Sequence, residues 1–217
     1  MNKVVASADQ AVQDVFDGAT VMVGGFGLCG VPENLLRALV RKGVKNLHTI
    51  SNNVGVDGYA MGWLLANGQI QSHIGSYVGE NRLLEQMVLE RRLDLELVPQ
   101  GTFSERIRAG GAGIPAFYTP VGFGTELAKG KEVRRFQERD YVLEHAMRGD
   151  LALVRADTAD RYGNLSFRYA QMNFGPVMAT AANLTVAEVR TVLDEPMPHE
   201  RVQLPGVYVD RVVTVTP

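Results

Sequence analysis

Short apolar runs alternate with amphipathic stretches along the first half of the chain. Residues 20–23, 47–50, 70–74 and 95–98 are brief β-rich runs, and each predicts a strand. The segments between them have helical character. Residues 7–16 open on a capping box formed by Ser7 and Gln10, so a helix is expected to start there. Pro32 stands at the first position of a second helix that runs to Lys42, and Gly43 stops it. A third helix is expected over residues 59–66. Residues 80–92 place Leu83, Leu84, Met87, Val88 and Arg91 at helical spacing, and residues 102–109 predict the next helix. A β-α-β-α order of this kind predicts an α/β fold, with a mostly parallel sheet covered by helices and right-handed crossovers.

The second half reads differently. Residues 110–124 hold Gly110, Gly111, Gly113, Gly122 and Gly124 with Pro115 and Pro120, the composition of a loop. Shorter β-like pieces follow at residues 133–136, 141–143, 151–155, 185–192 and 208–215, with one helix expected over 169–181. No Ser- or Pro-rich linker divides the halves and no repeat is visible, so residues 1–217 read as a single domain.

Composition narrows the classes. Lys plus Arg number 22 and Asp plus Glu 24, which argues against a nucleic-acid binder. The densest basic stretch, Lys129 to Arg135, is interrupted by Glu132 and reads as a solvated turn. Cys29 is the only cysteine, so no internal disulfide forms and a reducing, cytoplasmic setting is expected. Residues 1–16 carry Asp9 and Asp14 and lack the apolar core of a signal peptide. No apolar run approaches the roughly 20 residues of a membrane span. Glycine is the outlier: 23 of 217 residues, against a usual share of about 7%. Such an excess marks places where the backbone turns tightly or comes close to another group.

One such place is Gly25-Phe26-Gly27-Leu28-Cys29-Gly30, which fits G-x-G-x-x-G between a strand and a helix. A dinucleotide site of this kind also needs an acidic residue about 20 positions on. The second strand ends instead in Ser51-Asn52-Asn53, and Asp57 comes later. A nicotinamide-dependent oxidoreductase is therefore a secondary reading, and a non-catalytic module that holds CoA or a sugar phosphate is a third. The surrounding stretch is more specific. Asp17-Gly18, three apolar residues Val21-Met22-Val23, Gly24-Gly25-Phe26, Gly30 and Pro32 match every specified position of the signature of family I CoA-transferases. The resemblance continues through Ser51-Asn52-Asn53, Ser76-Tyr77-Val78-Gly79-Glu80-Asn81, Pro99-Gln100-Gly101-Thr102, the 105–117 stretch, Asn173-Phe174-Gly175-Pro176 and Pro205-Gly206-Val207. It covers essentially the whole chain and points to the A (alpha) type of chain of the 3-oxoacid enzymes.

The resemblance implies a chemistry. Enzymes of this family move CoA from a thioester to a free carboxylate through a glutamyl-CoA thioester, a case of covalent catalysis without a permanently bound cofactor or metal. The expected reaction takes CoA from succinyl-CoA to a 3-oxo acid such as acetoacetate, with 3-oxoadipate as the alternative acceptor. In two-subunit members the nucleophilic glutamate lies in the B subunit, so the resemblance implies a B partner, an A2B2 assembly and no catalytic glutamate here. Glu80 is the nearest match to the B-subunit motif, and it reads more simply as an acid at a helix start. This chain would supply the wall of the site. The amides of Gly24, Gly25, Phe26, Gly27, Leu28, Cys29 and Gly30 are candidates to face the CoA thioester. Asn52 and Asn53 close the second strand and Gln100 a later one, where an open α/β sheet binds ligands. An Asx turn is the competing role for the two asparagines. The run Gly110-Gly111-Ala112-Gly113 is either a mobile loop over that site or a connector. Cys29 reads as a small core-like thiol, and residues 117–123 as a stretch able to line an interface. His48, His73, His145 and His199 have no metal-like spacing.

Overall fold

The computed structural model describes residues 2–215. In chain order the first half holds β1 (Val4–Val5), α1 (Ala8–Ala11), β2 (Thr20–Val23), α2 (Glu33–Lys42), β3 (Leu47–Ser51), α3 (Gly62–Ala66), β4 (Ile70–Gly75), α4 (Arg82–Leu89), β5 (Asp94–Leu97) and α5 (Gln100–Gly111). The second half holds β6 (Ala116–Thr119), β7 (Val133–Phe136), β8 (Arg139–His145), β9 (Gly149–Arg155), β10 (Thr158–Asp160), β11 (Leu165–Ser166), α6 (Gly175–Thr180), β12 (Ala182–Val189), β13 (Thr191–Leu193) and β14 (Arg211–Thr214).

Eight strands form one sheet in the order β1-β14-β12-β9-β2-β3-β4-β5. Each neighbouring pair in it is parallel. Its central strands are buried on both faces, which is why they read as nearly unbroken apolar runs: Val21, Met22 and Val23 in β2, and Leu151 through Val154 in β9. Side-chain alternation sends Val21, Val23, Leu151 and Leu153 to the face covered by α1–α4. Met22, Ile50 and Ala152 go to the face covered by α5 and α6 through Phe103, Ile107 and Met178. The result is a three-layer α/β/α arrangement. After β2 the chain adds strands to one side (β3, β4, β5), then returns with β9 to the other. The reversal between β2 and β9 is a topological switch point, the place where open parallel sheets bind ligands.

Two smaller sheets flank this body: β11-β10-β13, and the antiparallel β6-β8-β7. A charged cluster ties the second to α5. Arg106, 8% exposed, meets Glu96 at 2.5 Å and the His145 carbonyl at 2.7 Å, while Lys131 meets buried Glu144 at 2.6 Å.

Several boundaries differ from the sequence pattern for identifiable reasons. Ser7 does cap α1, accepting from the Gln10 amide, but Gln10 reaches back to the Ala6 amide rather than to Ser7. The expected helix over 80–92 starts only after Asn81, whose side chain accepts from the Leu84 amide. Glu80 lies before that cap with φ 69°, so it does not begin the helix. The expected helix over 169–181 is two pieces, a 3-10 turn at Tyr169–Met172 and α6, with Asn173 between them. Residues 110–124 are not simply a loop. Gly110 and Gly111 finish α5, and β6 lies in the same stretch. A methyl group on Gly110 would stand 2.0 Å from the Met147 carbonyl, so these glycines serve close packing. The single expected strand 185–192 divides at Arg190 into β12 and β13, which belong to different sheets.

His73 in β4 is fully buried. Its Nδ1 lies 3.0 Å from Thr49 Oγ1, and its Nε2 has no partner among the described residues. Burial pushes its pKa down to about 4 from 6.5, with Thr49 opposing. The unfolded chain therefore binds a proton near pH 6.5 that the folded chain refuses until about pH 4. Stability falls as pH drops through that window, by about 3 kcal/mol from this residue. Denaturant unfolding across that range should show the protein losing about 3 kcal/mol relative to His73→Gln as pH falls. A pH-independent difference would refute the assignment.

Candidate functional site

The chain leaves β2 at the switch point and makes a tight hairpin before entering α2. Phe26 and Cys29 exchange backbone hydrogen bonds at 3.0 Å in both directions, with Gly27 and Leu28 at the tip. Gly25, Gly27 and Gly30 have φ of 136°, 57° and 74°, values that favour glycine. Gly30 has a second reason: a methyl group there would stand 2.7 Å from the Gln171 carbonyl and 2.8 Å from Asn173 Nδ2.

Counting hydrogen bonds narrows the set of donors available to a ligand. The Gly24 amide donates to Leu153 at 2.9 Å, continuing the sheet. The Gly25 amide donates to Asn173 Oδ1 at 3.0 Å. Phe26 and Cys29 satisfy each other. The Gly27 amide reaches Asn52 Oδ1 only at 3.4 Å. The Leu28 and Gly30 amides have no partner among the described residues. The donors able to face a ligand are thus those of Gly27 and Leu28 at the tip and of Gly30 just past the hairpin. Phe26 and Leu28 project into solvent, about half exposed. Cys29 is exposed, not the core-like thiol expected from sequence.

The two asparagines after β3 differ in role. Asn52 is buried and acts as a strut: Oδ1 faces the hairpin, Nδ2 donates to Ser76 Oγ at 2.8 Å, and its carbonyl accepts from the Ser76 and Tyr77 amides at 3.1 Å. Asn53 makes the Asx turn, accepting from the Gly55 amide at 3.0 Å. It also lines a cavity of about 10 Å³ with Gly24, Gly25, Gly27, Ser51 and Gly55, room for about one water. Gln100 does not close a strand. It is the exposed first residue of α5, after Pro99. It follows β5, which lies two strands beyond β3 in the sheet.

Three residues essential to the geometry were not assigned a role from sequence. Asn173 clamps the hairpin: besides accepting from Gly25 and from the Phe174 amide at 2.6 Å, its Nδ2 donates to the carbonyls of Cys29, Ala170 and Gln171, each at 3.1 Å. Glu188, fully buried in β12, accepts from the Asn34 and Leu35 amides at 2.8 and 3.0 Å and so caps α2. Arg155 pairs with it at 2.5 Å. Burial pushes the Glu188 carboxyl above its ordinary pKa, while the Leu35 amide, Arg155 and Asn34 pull the other way. A glutamate inside an otherwise apolar strand was the visible signal, since such a group needs partners.

The acidic partner that a dinucleotide site requires does not stand at the end of β3. Asp57, the acid nearest that strand, accepts instead from the Arg82 and Leu83 amides at 3.2 Å, at the start of α4. Among the described residues no group of three or more His, Cys, Asp and Glu could hold a metal ion, and no helix is long and apolar enough to cross a membrane.

Residues 5–214 match the Coenzyme A transferase family. The chain belongs to this family. Among CoA-transferases, it is 49% identical over 214 residues to the A-type chain of the probable succinyl-CoA:3-ketoacid coenzyme A transferase of Bacillus subtilis, covering 98% of this chain and 90% of that one. It is 48% identical to the mitochondrial succinyl-CoA:3-ketoacid coenzyme A transferase 2A of Mus musculus, of which it spans only 43%. The fold superposes on an acyl-CoA transferase of Escherichia coli O157:H7 with TM-score 0.87 at 23% identity, covering 99% of this chain and 47% of that one. The CoA-transferase family thus includes relatives more than twice as long as this chain.

Proposed function

We propose that this chain is the A-type half of a CoA-transferase built from two kinds of chain, which moves CoA from succinyl-CoA to a 3-oxo acid such as acetoacetate. The observation that carries the reading is the near-full-length relation to A-type chains of such enzymes, together with free amides on a preorganised hairpin at the switch point. In this reading the complementary B subunit brings a glutamate carboxylate against the thioester. Its oxygen attacks the acyl carbon, the C–S bond breaks, and CoA leaves as thiolate with the acyl group held as an anhydride. The thiolate attacks the glutamyl carbonyl and releases succinate, leaving a glutamyl-CoA thioester. The acceptor acid collects CoA by the reverse steps.

Each addition places negative charge on a carbonyl oxygen. The amides of Gly27, Leu28 and Gly30 are the donors we assign to that charge, since an oxyanion is stabilised by donors already in position. The other hairpin residues, Gly24, Gly25, Phe26 and Cys29, give it its shape, Asn52 braces it, and Asn53 lines its inner side. Gln100 faces the site from the α5 side. The assembly is A2B2.

Co-expression with a B subunit tests the reading. The assembled protein should transfer CoA from succinyl-CoA to acetoacetate, and the isolated chain should not. Strong activity from the isolated chain, or transfer only to 3-oxoadipate, would refute the half-site or the acceptor assignment respectively.

A further inference from the structure

Beside the hairpin lies a cleft of about 510 Å³, within the size range of small-molecule sites. Its floor is the Cys29–Gly30 backbone, and three arginines converge on it from separate segments. Arg155 ends β9. Arg190 follows β12, the neighbouring strand. Arg168 precedes the 3-10 turn that holds Asn173 against the hairpin. Arg155 and Arg190 stand at the carboxyl ends of strands at or next to the switch point, and Arg168 comes in from beyond β11 of the small sheet.

Their charges are only partly spent. Arg155 uses one nitrogen on Glu188, with its side chain 18% exposed. Arg168 and Arg190 are exposed and have no ion pair among the described residues; Arg168 lies only over the ring of its neighbour Tyr169, at 5.4 Å. Two acids share the lining, Glu33 and Asp157. Asp157 accepts from Thr158 Oγ1 at 3.4 Å, and both acids keep their charge, so the three guanidiniums outnumber the carboxylates of the lining by one. The start of α2 adds no free donors there, because Glu188 takes the Asn34 and Leu35 amides. What remains is a set of guanidinium forks from three directions. A single carboxylate is matched by one fork, whereas several phosphate oxygens need more than one. The Tyr169 ring, 86% exposed at the rim, offers a face on which a base can stack.

We propose that this cleft binds the phosphates of a nucleotide-bearing ligand through Arg155, Arg168 and Arg190. The chemistry is shared by two sources, the nucleotide end of a CoA thioester and a free nucleotide. The site rests on the CoA-transferase reading only for which of these fills it.

Titration calorimetry of inorganic pyrophosphate into the full chain in its purified assembly, at low ionic strength, tests the proposal. Saturable binding is expected, weakened about tenfold by Arg168→Ala and by Arg190→Ala separately. Thermal unfolding should barely move, since neither side chain holds another. Displacement of pyrophosphate by CoA identifies the substrate's own phosphates as the occupant; displacement by ADP and not by CoA identifies a separate nucleotide. Absence of saturable binding, or binding undiminished in the double variant, overturns the site. An assembly that lacks transferase activity yet binds pyrophosphate through these arginines would sink the transferase reading and leave the site standing. An active assembly without that binding would do the reverse.

Discussion

Glu188→Ala is expected to destabilise the fold by about 3–5 kcal/mol, the cost of breaking a buried ion pair from one side. The side chain is fully buried in β12 and does two jobs at once. It neutralises Arg155 at 2.5 Å and it takes the Asn34 and Leu35 amides, the second and third residues of α2. Helix starts usually satisfy those donors with a local Ser, Thr, Asp or Asn. Here the N-cap is Pro32, whose side chain makes no hydrogen bond. The acceptor comes instead from a strand 153 and 154 positions away. Alanine would leave a guanidinium without its counter-charge and two amides without acceptors, and these losses overlap rather than add. Urea unfolding of the variant should show the full loss, and Glu188→Gln, which keeps shape and one acceptor, a smaller one. Replacing both partners, in Arg155→Leu with Glu188→Leu, should recover much of the stability, because a well-packed apolar pair carries no desolvation penalty. A Glu188→Ala loss below about 1 kcal/mol would mean that the pair adds no more than a surface ion pair does.

The same residues show how far local pattern reaches. The central strands were legible because burial on both faces leaves no room for polar residues, and Val21, Met22 and Val23 have all three side chains buried. The glycine turn was legible because positive φ at Gly25, Gly27 and Gly30 leaves a chemical mark in the residue type. What was not legible lies in long-range contacts. The start of α4 depends on Asp57, 25 positions before Arg82, and the break at Asn173 depends on carbonyls of the hairpin 144 positions earlier. β7, Val133–Phe136, stands where a β-like piece was expected, but it is exposed along its whole length and has no buried face to say which sheet it joins. Only its pairing with β8 places it in a sheet. Likewise the sequence marked seven hairpin amides equally. Only the pairing pattern separates those already spent from those of Gly27, Leu28 and Gly30.

That separation makes Asn173 the residue on which the proposed transfer reaction should depend most. Its amide has one acceptor oxygen and two donor hydrogens. The oxygen holds the Gly25 and Phe174 amides, and the nitrogen faces the carbonyls of Cys29, Ala170 and Gln171. It thus grips both legs of the hairpin, the Cys29–Gly30 peptide included, and the turn beneath it, while accepting from none of the Gly27, Leu28 and Gly30 amides. Asn173→Ala removes the grip without removing a donor. Those three amides would then have to be ordered at the moment charge develops, and the advantage of preorganisation is lost. The expected result is a fall in kcat of about 10²–10³, the size seen when an oxyanion donor is removed. Binding of the CoA thioester should change much less. Asn173→Asp separates geometry from side-chain volume: it keeps the acceptor for Gly25 and loses every donor, setting a carboxylate oxygen against three carbonyls. It should be at least as damaging as alanine. Steady-state kinetics of the assembled enzyme would decide the matter. A change in KM with kcat preserved would show that the hairpin binds substrate without stabilising the oxyanion, and the assignment of Gly27, Leu28 and Gly30 would fall with it.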